Sequence, residues 1–144
     1  MISPGTTRRS RGILDTNTVI LLPRIDDPSV LPDEPLITAI TLAELTVGPL
    51  VAVSNKERAA RQAHLQQAEA DFEPIPFDAS AARAFGRVAA SLRRSGRKRT
   101  ARSYDAMIAA TAIANELPLY TCNPVDFNDI TGLDVVAVPV PRER

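Results

Sequence analysis

Gly12-Ile13-Leu14-Asp15 is the stretch on which the fold turns. A short uncharged run with two large apolar residues leads directly into an acid. It is too short for a helix and reads as the strand that opens a sheet. An acid closing such a strand stands at a sheet edge, where burial is partial and a carboxylate needs a partner. Two roles are open to Asp15. It is an N-cap for the segment that follows, Asp being among the best caps, or it is a functional acid. Thr16 to Leu22 forms the short helix, which Pro23 is expected to stop.

Outward from this strand the chain alternates. Leu36-Ile37-Thr38-Ala39 reads as a second strand, after which Thr41 opens a helix in which Thr41 and Glu44 have the spacing of a capping box. Ser54 and Glu57 repeat that spacing ahead of a long helix from Asn55 to about Asp71. Glu73 to Phe77 reads as an edge strand, because Pro74 and Pro76 cannot donate to a ladder. Asp78 caps a helix from Ala79 to about Arg94, and another runs from Ser103 to Glu116. Leu119-Tyr120-Thr121 and Val135 to Val138 complete five strands. Strands alternating with helices predict an α/β fold, a central, mostly parallel five-stranded sheet flanked by helices.

The chain has 144 residues, 44% of them hydrophobic and 24% charged, which suits one globular domain over residues 1–144. Residues 1–11 and 139–144 are expected to be tails. Met1 to Gly12 carries three arginines but no apolar stretch of the kind a secretory signal needs. No apolar run approaches the roughly 18–20 residues of a membrane span, so a cytoplasmic protein without a membrane partner is expected. The single Cys and single His remove whole chemistries. Internal disulfides and Cys/His zinc sites are excluded, and a catalytic triad would have only His64 to draw on. Carboxylates are the material left for a polar site.

Function in open α/β sheets collects beyond the carboxyl ends of the strands. The residues there are Asp15, Thr41 to Glu44, and Thr121 to Asp126, and each group holds an acid. Every acid also has an ordinary explanation. Glu44 fits the capping box, Asp105 sits in a first helical turn where the dipole favours it, and Asp126 follows an Asn-Pro turn. Together Asp15, Glu44, Asp105 and Asp126 weigh differently. Crowded carboxylates repel unless a cation or protons neutralise them. Oxygen-only ligation suits Mg²⁺ or Mn²⁺.

Four segments carry a resemblance: Gly12 to Asn17, Ala43 to Gly48, Tyr104 to Ala112 and Leu119 to Phe127. In this order and spacing they resemble the PIN domain, and within it the VapC toxins of bacterial toxin–antitoxin pairs. The resemblance implies a PIN-like fold and a Mg²⁺-dependent endoribonuclease, with Mn²⁺ as a substitute. It implies neutralisation by a cognate VapB-type antitoxin, a homodimer, and toxin–antitoxin hetero-oligomers. It makes Asp15, Glu44, Asp105 and Asp126 the catalytic and metal-binding acids, Asp15 and Asp105 being the most direct ligands. Asn17, Thr121 and Asn123 match the polar residues around the site. Cys122 departs from the pattern, since many relatives place Arg there.

Net charge is zero, but the charge is unevenly spread. Eight of the 17 basic residues fall between Ala79 and Tyr104, a stretch without acids, which leaves nine to set against all 17 acids. A phosphate backbone approaching a carboxylate site needs such cations beside it. Arg93, Arg94, Arg97, Lys98, Arg99 and Arg102 are therefore the candidate RNA-binding residues, leading straight to Asp105. Val19 to Leu22 with Leu42, Leu45, Val47, Leu50, Val51 and Val53 provide apolar surface for a core or for an antitoxin groove. His64 is expected on a solvated helix face. Two other functions compete: a catalytically inactive PIN-like module that binds RNA or protein, and a phosphatase with Asp15 as nucleophile. Against the phosphatase, Asn17 stands where a second Asp is needed.

Overall fold

A computed structural model describes residues 10–96 and 103–142. The elements in chain order are β1 (Arg11–Leu14), α1 (Thr16–Leu21), β2 (Glu34–Leu36), α2 (Ala39–Leu50), α3 (Asn55–Asp71), α4 (Ala79–Arg94), α5 (Ser103–Ala114), β3 (Leu119–Thr121) and β4 (Val135–Ala137). Short 3-10 turns at Leu22–Arg24, Pro28–Val30 and Pro124–Asp126 complete the connections.

The four strands are ordered β2-β1-β3-β4 and every pairing is parallel. Side chains along a strand alternate between faces, and two apolar clusters follow from that. Ile13 and Leu119 point into the cluster formed with α4 and α5, around Val88, Leu92, Ile108 and Phe127. Leu14 and Tyr120 point the other way, to Val19, Ile37, Leu45 and Ala68 on the α1–α3 side. Cover on both faces explains the buried Ile13, Leu14 and β3, whereas β2 at the sheet edge, Glu34-Pro35-Leu36, is more exposed.

The caps at Ser54 and Asp78 lie where the sequence puts them: Ser54 Oγ accepts from Glu57 N at 3.1 Å and Asp78 Oδ1 from Ala81 N at 3.0 Å. Other expectations are corrected. The second strand is Glu34–Leu36 rather than Leu36–Ala39, and Thr38 rather than Thr41 caps α2, its Oγ1 accepting from Thr41 N at 3.2 Å. The fifth strand, expected over Glu73–Phe77, shrinks to one parallel bridge between Thr38 and Ile75. Ile75 N donates to Ile37 O at 3.0 Å and Ile75 O accepts from Ala39 N at 2.8 Å. Pro74 and Pro76 on either side have no N–H to carry the ladder further. Pro23 does not end the first helical segment but sits early in the 3-10 turn that continues it, where its missing donor costs nothing. The helix expected to reach Glu116 ends at Ala114, closed by Glu116 N donating to Ile113 O and Leu117 N to Ala112 O, with Glu116 in the left-handed region at φ 54°. Arg11, assigned to a tail, already belongs to β1 and pairs with Glu34 at 3.4 Å. Ser10 O of the same tail accepts from Glu34 N at 2.7 Å, residues 1–9 and 143–144 lie outside the described residues, and Val138 falls just beyond β4.

Gly12 is fixed by a close approach. A Cβ there would lie 2.5 Å from Cε1 of Tyr120 and 3.3 Å from Cγ of Pro32. Tyr120 is 2% exposed and has nowhere to move. Gly12→Ala should therefore destabilise the fold by about 1–3 kcal/mol, the cost of overpacking. Urea unfolding followed by circular dichroism should show a lower midpoint with an unchanged slope.

Candidate active site

The strand order reverses between β1 and β3, since β2 lies on one side of β1 while β3 and β4 lie on the other. Crevices outside the carboxyl ends of strands at such a switch point are where open α/β sheets bind ligands. Asp15, immediately after β1, and Thr121, the last residue of β3, meet there. Thr121 Oγ1 donates to Asp15 Oδ2 at 2.7 Å.

Asp15 is both cap and candidate acid. Its extended backbone places Oδ1 as acceptor for Thr18 N at 3.2 Å and for the Thr18 hydroxyl. Each supporting hydroxyl is oriented in turn. Thr18 Oγ1 accepts from Cys122 N at 3.0 Å, and Thr121 Oγ1 accepts from Asn123 N at 2.9 Å. A hydroxyl has one proton, so with an N–H at its back each is left to donate to Asp15. The carboxylate is only 4% exposed. Burial pushes its pKa above the ordinary Asp range, opposed by the Thr18 and Thr121 hydrogen bonds and reinforced by the negative charge of Asp126.

Glu44 stands one turn inside α2, and the early cap at Thr38 releases it from capping. Thr16 Oγ1 donates to Glu44 Oε1 at 2.6 Å and lies 3.0 Å from Thr41 Oγ1. Because the Thr16 proton goes to Glu44, Thr41 is the donor to Thr16. Burial raises the Glu44 pKa, the Thr16 bond lowers it, and the Asp15 charge raises it again. Asp126 is half-buried in the 3-10 turn after Asn123, and Asp105 is half-buried in the first turn of α5, a helix packed against α2 and α4. Asp15, Glu44 and Asp126 are thus linked by their charges. Among the described residues, however, no three Asp, Glu, His or Cys side chains form a group arranged to hold a metal ion.

Of the polar candidates, Thr121 is buried, Asn123 half-buried and Asn17 exposed on α1. Thr16, Thr18 and Thr41 organise two acids, yet no site role is assigned to them from the sequence. The visible signal was the density of hydroxyls beside the acids, Asp15-Thr16-Asn17-Thr18 above all. Cys122 is 6% exposed, with its thiol pKa raised by burial and by Asp15 against the hydrogen bond with Thr18, so it is a packed and unreactive thiol. Arg93 and Arg94 end α4 exposed, whereas Arg97, Lys98, Arg99 and Arg102 lie outside the described residues. His64 is not on a fully solvated face. It is half-buried and lines a hollow of about 380 Å³ with Val19, Leu22 and Phe72. The apolar excess divides: Val19 and Leu45 are core, while Leu50, Val51 and Val53 are 79%, 62% and 92% exposed.

The donor set fits a hard cation in its chemistry. It is all oxygen, and two of its acids are made costly as anions by burial and by one another. The parallel sheet, the switch-point crevice and the acids beyond β1 and β3 define a class, and a model of the PIN domain family matches residues 13–133. The chain is 38% identical over 134 residues to Ribonuclease VapC5 of Mycobacterium tuberculosis, covering 92% of this chain and 94% of that protein. The crystal structure of VapBC-5 from Mycobacterium tuberculosis, a member of the VapBC family of toxin–antitoxin systems, superposes with a TM-score of 0.73 at 35% identity, over 90% of this chain and 99% of that one. DNA-bound VapBC from Salmonella typhimurium gives a TM-score of 0.67 at 26% identity, over 87% and 96%. The chain belongs to the PIN domain family and, within it, to the VapC group.

An acid whose pKa is raised on folding binds its proton more tightly in the folded state. The metal-free protein then loses stability as pH rises from the ordinary carboxyl range, about 4, through the raised values. In EDTA, Asp15→Asn should gain in melting temperature relative to wild type as pH climbs from about 4 toward neutrality. A gap independent of pH would contradict the assigned shift.

Proposed function

We propose that the protein is the endoribonuclease toxin of a toxin–antitoxin pair, hydrolysing RNA phosphodiesters with Mg²⁺ and held inactive by a VapB-type antitoxin. The observation that carries this is the Asp15 carboxylate, buried at the switch point and braced by two hydroxyls, in a chain of the VapC group. Asp15 and Asp105 would hold the cation, Mn²⁺ serving in its place, with Glu44 and Asp126 completing the set directly or through water. When bound, the cation supplies positive charge for a phosphoryl oxygen and lowers the pKa of water.

The chain's own residues do the positioning. Thr18 and Thr121 hold both Asp15 oxygens, so the acid does not turn away when charge approaches. Thr16 fixes Glu44 Oε1, leaving Oε2 to accept a hydrogen bond from the water that attacks phosphorus. The leaving group is the 3′ oxygen, giving 5′-phosphate and 3′-hydroxyl ends. Asn17 and Asn123 offer amide groups at the rim, and the basic run from Arg93 to Arg102 draws RNA toward the acids. Aromatic residues are only 4% of the chain, with no Trp, so recognition rests on backbone and shape more than on stacking.

The protein acts in the cytoplasm, where RNA and antitoxin are both present, and it works as a homodimer that assembles with antitoxin into a hetero-oligomer. Among the described residues no helix is long and apolar enough to cross a membrane.

Purified protein should cleave RNA in Mg²⁺, stop in EDTA, and stop when antitoxin is added. Asp15→Asn and Asp105→Asn should abolish cleavage while keeping the fold, and mapping RNA ends should yield 5′-phosphates from wild type alone. Undiminished cleavage by either variant overturns the assignment, and RNA binding without cleavage in Mg²⁺ would favour the inactive module. Thr121→Val leaves every acid in place but removes a brace from Asp15. It should weaken Mg²⁺ affinity about 10–100-fold, read by titrating Mg²⁺ against rate.

A further inference from the structure

We propose that the hollow bounded by α4, the end of α5 and the Thr131–Gly132 turn is a phosphate-binding subsite for the RNA strand, separate from the acids, with Arg87 and Arg94 as its cations. This rests on RNA being the substrate. The hollow has a volume of about 380 Å³, and Arg87, Ser91, Arg94, Ile113 and Thr131 are among the residues lining it, with no acid among them.

Three observations converge on it. Arg83, Arg87 and Arg94 are spaced four and seven apart on α4, which lays them along one stripe of the helix. The helix contains no acid, and among the described residues Arg87 makes no ion pair. Arg94 is steadied beside the hollow: its Nη2 donates to Ser91 Oγ at 3.3 Å, and Ser91, 6% exposed, donates to Arg87 O at 3.1 Å. Neither guanidinium is spent on holding the fold.

The hollow is also tied to the acid site through shared elements. Ile113 lies eight residues after Asp105 on the same helix, about 12 Å along its axis. Thr131 lies five residues after Asp126, at most about 18 Å of chain, and Phe127 and Ile130 between them are 1% and 5% exposed and anchor that segment in the core. A strand with one phosphate at the acids would have to follow α5 to meet Arg87 and Arg94. On the far side, a second hollow shares Ile113 and Gly132 but is lined by Glu116 and Asp134, which repel a polyanion and confine it to the α4 side. One sign of charge along the whole stripe suits a ligand with a charge on every repeat, which favours RNA over an acidic peptide.

The test uses Arg87→Gln and the double variant Arg87→Gln/Arg94→Gln, with fluorescent single-stranded RNAs of mixed sequence. One RNA is only a few nucleotides long, and the other is long enough to pass from the acids over α4. On the long RNA the double variant should bind about tenfold more weakly, and its salt slope should fall by about 0.7 for each phosphate no longer neutralised. With Arg87→Gln alone, KM on the long RNA should rise with kcat unchanged. With Arg87→Gln alone the short RNA should show no change, and this variant should melt like wild type because the side chain it replaces is exposed and makes no ion pair. Wild-type binding and salt slope on the long RNA would overturn the subsite, as would equal losses on both RNAs. A weakened antitoxin complex with RNA binding intact would overturn it in favour of an acidic peptide. A wild type that binds RNA with the stated slope but cuts nothing would sink the ribonuclease assignment and leave the subsite standing.

Discussion

Burying one carboxylate at the junction of β1 and β3 is the constraint on which the rest of the site depends. Asp15 is 4% exposed, and an isolated anion at that depth is expensive. The fold meets the cost locally. Both Asp15 oxygens receive hydroxyl donors, and each hydroxyl is oriented by a backbone N–H from the segment just past β3, Cys122 to Thr18 and Asn123 to Thr121. That segment therefore cannot slide along β1 without unmaking the support of Asp15. The strand pairing, the cap of α1 and the placement of the Pro124–Asp126 turn are one cooperative unit. The hydrogen bonds do not cancel the burial, because the pKa remains raised. The remaining stress is the part of the burial that the hydroxyl donors do not offset.

Glu44 shows how a small shift in local structure changes a residue's role. A helix opening at Thr41 would use Glu44 as the reciprocal arm of a capping box. The chain instead turns at Thr38, whose hydroxyl caps α2 from the end of the Ile75 bridge. The helix begins earlier, Thr41 becomes a buried residue whose hydroxyl serves Thr16, and Glu44 faces the site with Thr16 holding one oxygen. The pair Pro74 and Pro76 is part of the cause. By limiting the pairing to Ile75, it allows the backbone to leave the sheet at Thr38.

Much of this was legible in the residues. Short apolar runs locate β1, β3 and β4 but not β2, whose Glu34-Pro35-Leu36 lies in a proline cluster and shares only Leu36 with the run that reads as a strand; Ser54 and Asp78 announce their helices because caps depend on neighbours three residues away. Thr38 was not legible in the same way, since it is placed by an isolated bridge to Ile75, far along the chain. The acids beyond β1 and β3 could be listed from the rule about strand ends. Their supports could not, because Thr18 and Thr121 meet only once β1 and β3 are adjacent. Arg11 and His64 failed for a related reason: each has polar neighbours in sequence but is placed by an element distant from it, β2 for Arg11 and α1 for His64.

Zero net charge conceals a division of labour. The α4 stripe and the run after it concentrate positive charge on a stretch without acids, while the acids beyond β1 and β3 concentrate the opposite sign at the switch point. A site made only of carboxylates would repel the phosphates it acts on. A site made only of arginines would hold them with no group to activate water. With α5 and the Asp126–Thr131 segment running from one to the other, a strand held at the proposed subsite would meet both. The balance also spares the protein a large field of one sign, which would attract nucleic acid wherever it lay on the surface.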